Sequence, residues 1–167
     1  NVLAIGLKDS SVFLIDKLNL YNNYIEEIQN VYGVKGVLGL SKLQVLKKNN
    51  QNKNFNFIDI FDPFPNDQKT YDSLLKVINN EKFYEGKILN GEGALTLLIT
   101  IDKNILNSES RNKLMLDLIE KSEEFQTQSN IKLHYAGLPY SRYVLAESVK
   151  KELSRLLIVS IVVVGII

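Results

Sequence analysis

The chain has 167 residues, 45% apolar and 23% charged, which is enough apolar content to bury a core and excludes wholesale disorder. Its 20 Lys and Arg against 19 Asp and Glu leave a net charge of +1, which gives no electrostatic footprint for nucleic acid. With no Cys and one His, it has no disulfide, thiolate metal site, Cys nucleophile or His-pair metal site, and only His134 remains for imidazole chemistry.

The first residue is Asn1, and the apolar stretch after it is too short for a secretory h-region and lacks a basic lead. The expectation is a segment whose native protein continues upstream. Residues 2–7 (VLAIGL) read as a buried strand by their continuous apolar run. Asp9, Ser10 and Ser11 offer capping oxygens. Leu14, Leu18, Tyr21, Ile25 and Ile28 then recur at spacings of three and four, one stripe of an amphipathic helix over residues 12–30. Gly33 ends it, and residues 34–40 read as a second strand loosened by Gly36 and Gly39.

Residues 47–56 (KKNNQNKNFN) read as a solvated loop; their Lys content would also suit nucleic acid or lipid headgroups. Phe55, Phe57, Ile58, Ile60, Phe61 and Phe64 follow, with Pro63 and Pro65 arguing against a central strand. These aromatics are expected to pin the loop onto the core, or to form a contact surface for another domain. Asn66 or Asp67 caps a short helix carrying Tyr71, Leu74, Leu75 and Ile78. Gly86, Asn90, Gly91 and Gly93 mark turns around a weak strand at 87–89.

Residues 94–101 alternate strictly, with Leu95, Leu97, Ile99 and Ile101 on one face and Thr96, Leu98 and Thr100 on the other. Asn107 or Ser108 caps a helix to about residue 128, whose inward stripe is Leu114, Met115, Leu118, Ser122 and Phe125. Ile131, Leu133 and Tyr135 make the last strand face, with Lys132 and His134 opposite. Pro139 suits a helix first turn, and nothing breaks helix from there to Gly165. With 43–93 set aside as an insertion, the order is that of an α+β, ferredoxin-like βαββαβ (split βαβ) core. Both helices then lie on one sheet face, and a neighbouring domain is expected to cover the other.

The chemistry-bearing residues do not assemble into a catalytic pattern. Gly91 and Gly93 precede their strand instead of following one, so they are turn glycines and not a phosphate loop. His134 beside Lys132 reads as a surface strand residue, and Ser141 and Ser148 have no partner motif. Glu123 and Glu124 fall on an exposed helix side, and Asp59 and Asp62 lack the spacing of a calcium loop. Small phosphatases built on the same strand order carry an Arg in the loop after the first strand. Here that loop, residues 8–11, has none, and Arg111, Arg142 and Arg155 lie elsewhere. The expectation is a non-enzyme with no metal and no cofactor.

The C-terminal sequence is more specific. Residues 156–167 (LLIVSIVVVGII) carry no charge and one polar residue, Ser160. As helix they span about 18 Å, short of the ~30 Å of a bilayer core. Two readings stand: a buried terminal strand or core helix, or the first part of a truncated transmembrane helix made of Leu156, Leu157, Ile158, Val159, Ile161, Val162, Val163 and Val164. A core helix keeps a polar face, this run has none, and Gly165 suits a membrane helix. Division follows as a domain over 1–138 and a connecting helix with membrane entry over 139–167.

Before the apolar run stands AGLPYSRYVLAESVKKELSR, a strand end, a Gly-Leu-Pro-Tyr turn and a charged approach helix. This pattern resembles the porter domain of the bacterial resistance-nodulation-division superfamily of exporters, in the branch related to the large mycobacterial membrane proteins. Gly137, Pro139 and Tyr140 match that family's junction turn, Glu147 and Lys151 its approach helix, and residues 156–167 the start of its second membrane helix. The resemblance implies a proton-driven exporter of lipid-like or amphiphilic compounds, with this domain on the extracytoplasmic, periplasmic side of the inner membrane. The implied partners are the membrane, the remaining domains and membrane helices of the same transporter, a lipid-like or hydrophobic substrate, and further copies in a homo-oligomer; nucleic acid is not among them. A membrane-anchored extracytoplasmic sensor or ligand-binding module shares the tail, and a soluble regulatory module would use the tail as core.

Overall fold

The computed structural model describes residues 1–49, 54–81, 83–84, 86–90 and 93–166. In chain order the elements are β1 (Val2–Leu7), α1 (Ile15–Gln29), β2 (Val34–Leu38), β3 (Gln44–Asn49), β4 (Asn54–Asp59), α2 (Gln68–Asn80), β5 (Leu95–Ile101), α3 (Lys103–Leu106), α4 (Ser110–Ser129), β6 (Leu133–Ala136) and α5 (Leu138–Ile166). Single 3₁₀ turns occupy Ser10–Phe13 and Leu40–Lys42.

Period-2 apolar alternation builds the main sheet. β1 buries Leu3, Ile5 and Leu7, and β5 buries Leu95, Leu97, Ile99 and Ile101. Ile5 pairs with Leu97 and with Tyr135, so these residues share a face. The strands run in the order β2-β5-β1-β6, every neighbour antiparallel. The fold is therefore α+β on an antiparallel sheet. β1 and β2 point one way and β5 and β6 the other. One end of the sheet thus carries the start of β1 and the exit from β6, and the opposite end carries the whole connection from β2 to β5.

Two amphipathic helices cover the apolar face. α1 buries Leu18, Tyr21, Tyr24, Ile25 and Ile28, and α4 buries Leu114, Met115, Leu118, Ser122 and Phe125. They lock together through Tyr24, whose ring stacks on Phe125 at 4.7 Å and whose hydroxyl meets Ser122 Oγ at 2.7 Å. Lys17 Nζ donates to the Ser129 carbonyl at 2.7 Å, satisfying an orphan acceptor at the end of α4. Among the described residues no helix lies on the other sheet face: Thr100 and His134 are exposed there, and Thr96 and Leu98 half-buried.

Several elements differ from the sequence expectations. α1 begins at Ile15, so Leu14 is exposed as its N-cap residue and is not part of the buried stripe; Tyr24 is. Asp9 caps the 3₁₀ turn, accepting from Ser11 N at 2.8 Å. The first N–H of α1 is instead taken by Gln68 of α2, whose Oε1 accepts from Ile15 N at 2.8 Å while its Nε2 donates to the Phe13 carbonyl at 2.9 Å. β2 ends at Leu38 because Gly39 turns into the core. A Cβ on Gly39 would sit 2.7 Å from each of Ile25 Cδ1, Leu97 Cδ1 and the Tyr21 hydroxyl. Residues 103–106 add the short α3, and α4 starts at Ser110 after Glu109, with Ser108 Oγ accepting from Ser110 N at 3.2 Å.

The largest difference is at residues 47–56. The loop expected there is a β-hairpin, β3 and β4, paired in register from Gln44↔Asp59 to Asn49↔Asn54; residues 50–53 lie outside the described residues. Pro63 and Pro65 fall after β4, consistent with the absence of a central strand at their positions. Only part of the aromatic run pins to the core: Phe61 is buried against Phe64 and Tyr71, whereas Phe55 and Phe57 project into solvent. The expected strand at 87–89 is a single bridge from Leu89 to Leu95. Gly93 has φ +76, and its companion in the turn motif, Gly91, lies outside the described residues.

Candidate functional site

The site is built where β6 gives way to α5. Gly137 turns the chain there at φ +116, in the left-handed region open to glycine. Its backbone presses against β1, and an added Cβ would lie 2.6 Å from the Val2 carbonyl oxygen. Pro139 follows in the first turn of α5, buried, where its missing N–H costs nothing. Ser141 N donates to the Gly137 carbonyl at 3.1 Å and opens the helical ladder. Tyr140 stacks on Tyr135 of β6, ring centroids 4.9 Å apart and planes 22° off parallel. The three junction residues read from the sequence thus come together: one makes the turn, one starts the helix and one fastens it to the sheet.

Beyond this anchor α5 runs on as one helix of 29 residues, about 43 Å long. Tyr143 and Ala146 are the last half-buried positions, and every residue from Glu147 to Gly165 is exposed. Glu147 and Lys150 form a loose exposed pair at 3.9 Å, worth little in solvent. Leu156, Leu157, Ile158, Val159, Ile161, Val162, Val163 and Val164 are 51–75% exposed, touching none of the core. Ser160 turns its hydroxyl inward on the helix, donating to the Leu156 carbonyl at 2.8 Å. The apolar tail is therefore neither a strand nor a core helix of this domain. No helix among the described residues is long and apolar enough to cross a membrane.

Other candidate groups stay apart. His134 lies on the open sheet face opposite Gly6, and Lys132 precedes β6. Ser148 is exposed on α5, and Ser141 Oγ is engaged with the Gly137 carbonyl at 3.2 Å. Asp59 is held by Gln44 Nε2 at 2.7 Å inside the hairpin. Among the described residues no three His, Asp or Glu side chains converge as a metal-holding group.

A second exposed apolar feature belongs to the aromatics expected either to pin the loop or to form a contact surface, but its hairpin was not read from the sequence. One face of the hairpin carries Leu46 and Phe57 as a cross-strand pair, with Phe55 opposite Lys48 beside them, all exposed. Alternation of Phe with Asn over 54–57 was its signal, masked by the Asn-rich composition around it. The hairpin stands at the end of the sheet opposite α5, tied down by Tyr84, whose hydroxyl donates to the Gln44 carbonyl and accepts from Gln44 N.

No family model matches the chain, and no curated protein matches it.

Proposed function

We propose that this chain is the extracytoplasmic porter domain of a proton-driven exporter of the resistance-nodulation-division superfamily, moving lipid-like or amphiphilic compounds. The observation that carries the proposal is the bare apolar run of α5. Burying an aliphatic side chain of this size is worth about 1.5–3 kcal/mol, so eight left exposed forgo on the order of 10 kcal/mol. That run needs an apolar surround, and a bilayer supplies one as the helix continues into its full span.

The strand order β2-β5-β1-β6 with α1 and α4 on one face supports a ferredoxin-like, split βαβ core. The contact of Gly137 with Val2 supports a domain strung between two membrane segments, since the chain enters and leaves the sheet side by side. In this reading the open sheet face meets a neighbouring domain of the same transporter. The unbroken α5 is then a lever that turns tilt at the membrane into displacement of the whole domain. Lys150, Lys151 and Arg155 sit at the headgroup level.

Two measurements test this. The 167-residue chain should partition into lipid vesicles, and deletion of residues 153–167 should abolish partition; a chain that stays in the aqueous phase with α5 intact would overturn the membrane reading. In the whole transporter, Gly-Pro inserted after Ser148 should stop export while the domain stays folded. Undiminished export would remove the lever and favour a membrane-anchored sensor or ligand-binding module.

A further inference from the structure

We propose that the groove between the first turn of α4 and α5 binds one anionic, long-chain amphiphile. Its acid group lies against Arg111 and Arg142, and its alkyl chain runs along Leu145, Val149, Leu153 and Leu157. This deepens the exporter reading by naming a ligand class and its place, and rests on that reading in taking the α5 stripe as a lipid-contacting surface.

The groove is shallow and open, about 610 Å³, lined by α5 with Arg111 reaching over from α4. One donor at its cationic end has no acceptor. Arg111 Nε is shielded from solvent and has no hydrogen-bond partner. Among the described residues, no carboxylate pairs with Arg111 or Arg142. A sheltered Nε–H without an acceptor, on a guanidinium with no carboxylate beside it, suits an oxyanion, which Arg binds through paired N–H donors. Among the described residues no acidic side chain lines the groove, and Lys150 at its edge adds a third cation.

The rest of the groove is apolar and linear. Leu145, Val149, Leu153 and Leu157 follow one another at intervals of four, so they stack on one side of α5, each 46–66% exposed. The stripe is about 18 Å long, an acyl-chain length. A free inorganic anion would leave this floor wet, and a neutral lipid would leave the guanidinium unanswered. A molecule with an acid at one end and a hydrocarbon chain along the other satisfies both. The groove lies at the end of the sheet from which α5 departs, where a lipid drawn up from a bilayer would first meet the domain.

The test uses the full chain in discs of zwitterionic lipid, titrated with a fluorescent lysophosphatidic acid and with a lysophosphatidylcholine of the same chain and label. The acidic probe should bind about tenfold more tightly or better. Arg142 is exposed, so Arg142→Gln leaves the fold intact and should weaken the acidic probe about fivefold. Adding Arg111→Gln should bring the loss to about 25-fold, with far-UV circular dichroism confirming the fold. Millimolar inorganic phosphate should not displace the probe. Equal affinity for both probes, no change in Arg142→Gln, or displacement by phosphate alone would each overturn the proposal. If the chain enters vesicles yet shows no preference between probes, the groove assignment falls and the membrane reading stands. If it fails to enter vesicles, the membrane reading falls with it.

Discussion

Gly137 and Val2 touch backbone to backbone, with room for no side chain between them: a Cβ on Gly137 would approach the Val2 carbonyl oxygen to 2.6 Å. The same residue holds φ +116. Replacing Gly137 by Ala therefore adds strain in a sparsely allowed region to a collision with main chain that cannot rotate away. The expected cost is about 2–4 kcal/mol of unfolding free energy in urea. Gly36→Ala serves as the control. It has open space where its Cβ would go and no positive φ, and should change stability by no more than about 0.5 kcal/mol.

Much of this architecture is legible in the sequence because it rests on local periodicity. The alternation from Leu95 to Ile101 and the stripe Leu114, Met115, Leu118, Ser122, Phe125 are buried as their spacing requires. The junction was legible too, since Gly137 and Pro139 carry backbone restrictions that hold in any context. What sequence concealed is non-local. Gln68 caps α1 from 53 residues away, so no motif near Ile15 announces it. Arg111 and Arg142 become neighbours in one groove only after α4 and α5 are placed. In the hairpin, register pairing of Leu46 with Phe57 overrides a composition that reads as loop.

The bond between Tyr24 and Ser122 gives an asymmetric prediction. Ser122 Oγ already donates to the Leu118 carbonyl at 2.6 Å, so the Tyr24 hydroxyl is the donor in their 2.7 Å contact. Burial pushes the Tyr24 phenol above its ordinary value and so keeps the donor protonated, outweighing the opposing pull of the Ser122 bond. Tyr24→Phe retains the stack on Phe125 and leaves Ser122 bonded to Leu118, for a loss of about 0.5–1.5 kcal/mol. Ser122→Ala strands a buried hydroxyl and should cost more, about 1–3 kcal/mol. Urea titrations of the two variants should rank them in that order.

Acid should destabilise the protein through three capping carboxylates. The Thr70 hydroxyl and then its N–H hold Asp67 below the ordinary carboxylate value. Ser11 does the same for Asp9, and Asn104 N followed by Lys35 for Asp102. A carboxylate lowered in the folded state stabilises it fully above the unfolded value, about 3.9, and loses that contribution as pH falls through the lower folded value. The thermal midpoint should accordingly be level from neutral pH to about 5 and drop below about 4. Replacing Asp9, Asp67 and Asp102 by Asn should lower the midpoint at neutral pH and flatten the acid limb.

The hairpin and the segment after it test whether exposed aromatics contribute to folding. Phe57 is 72% exposed and pairs with Leu46, itself 55% exposed. Phe61 is buried, its ring 6.1 Å from Phe64 and 6.2 Å from Tyr71. Four residues apart in sequence, they should respond oppositely to truncation. Phe61→Ala removes a core ring and should cost about 3–5 kcal/mol. Phe57→Ala removes a ring that rests mainly on solvent and should stay within about 0.5 kcal/mol in the isolated domain. An apolar side chain kept at a solvent-facing position without a folding contribution is available for contact with another surface. If the chain serves the exporter proposed above, Phe57→Ala should then reduce export while leaving the domain's urea midpoint unmoved. A Phe57→Ala domain that unfolds at markedly lower urea would instead make the hairpin part of the folding core.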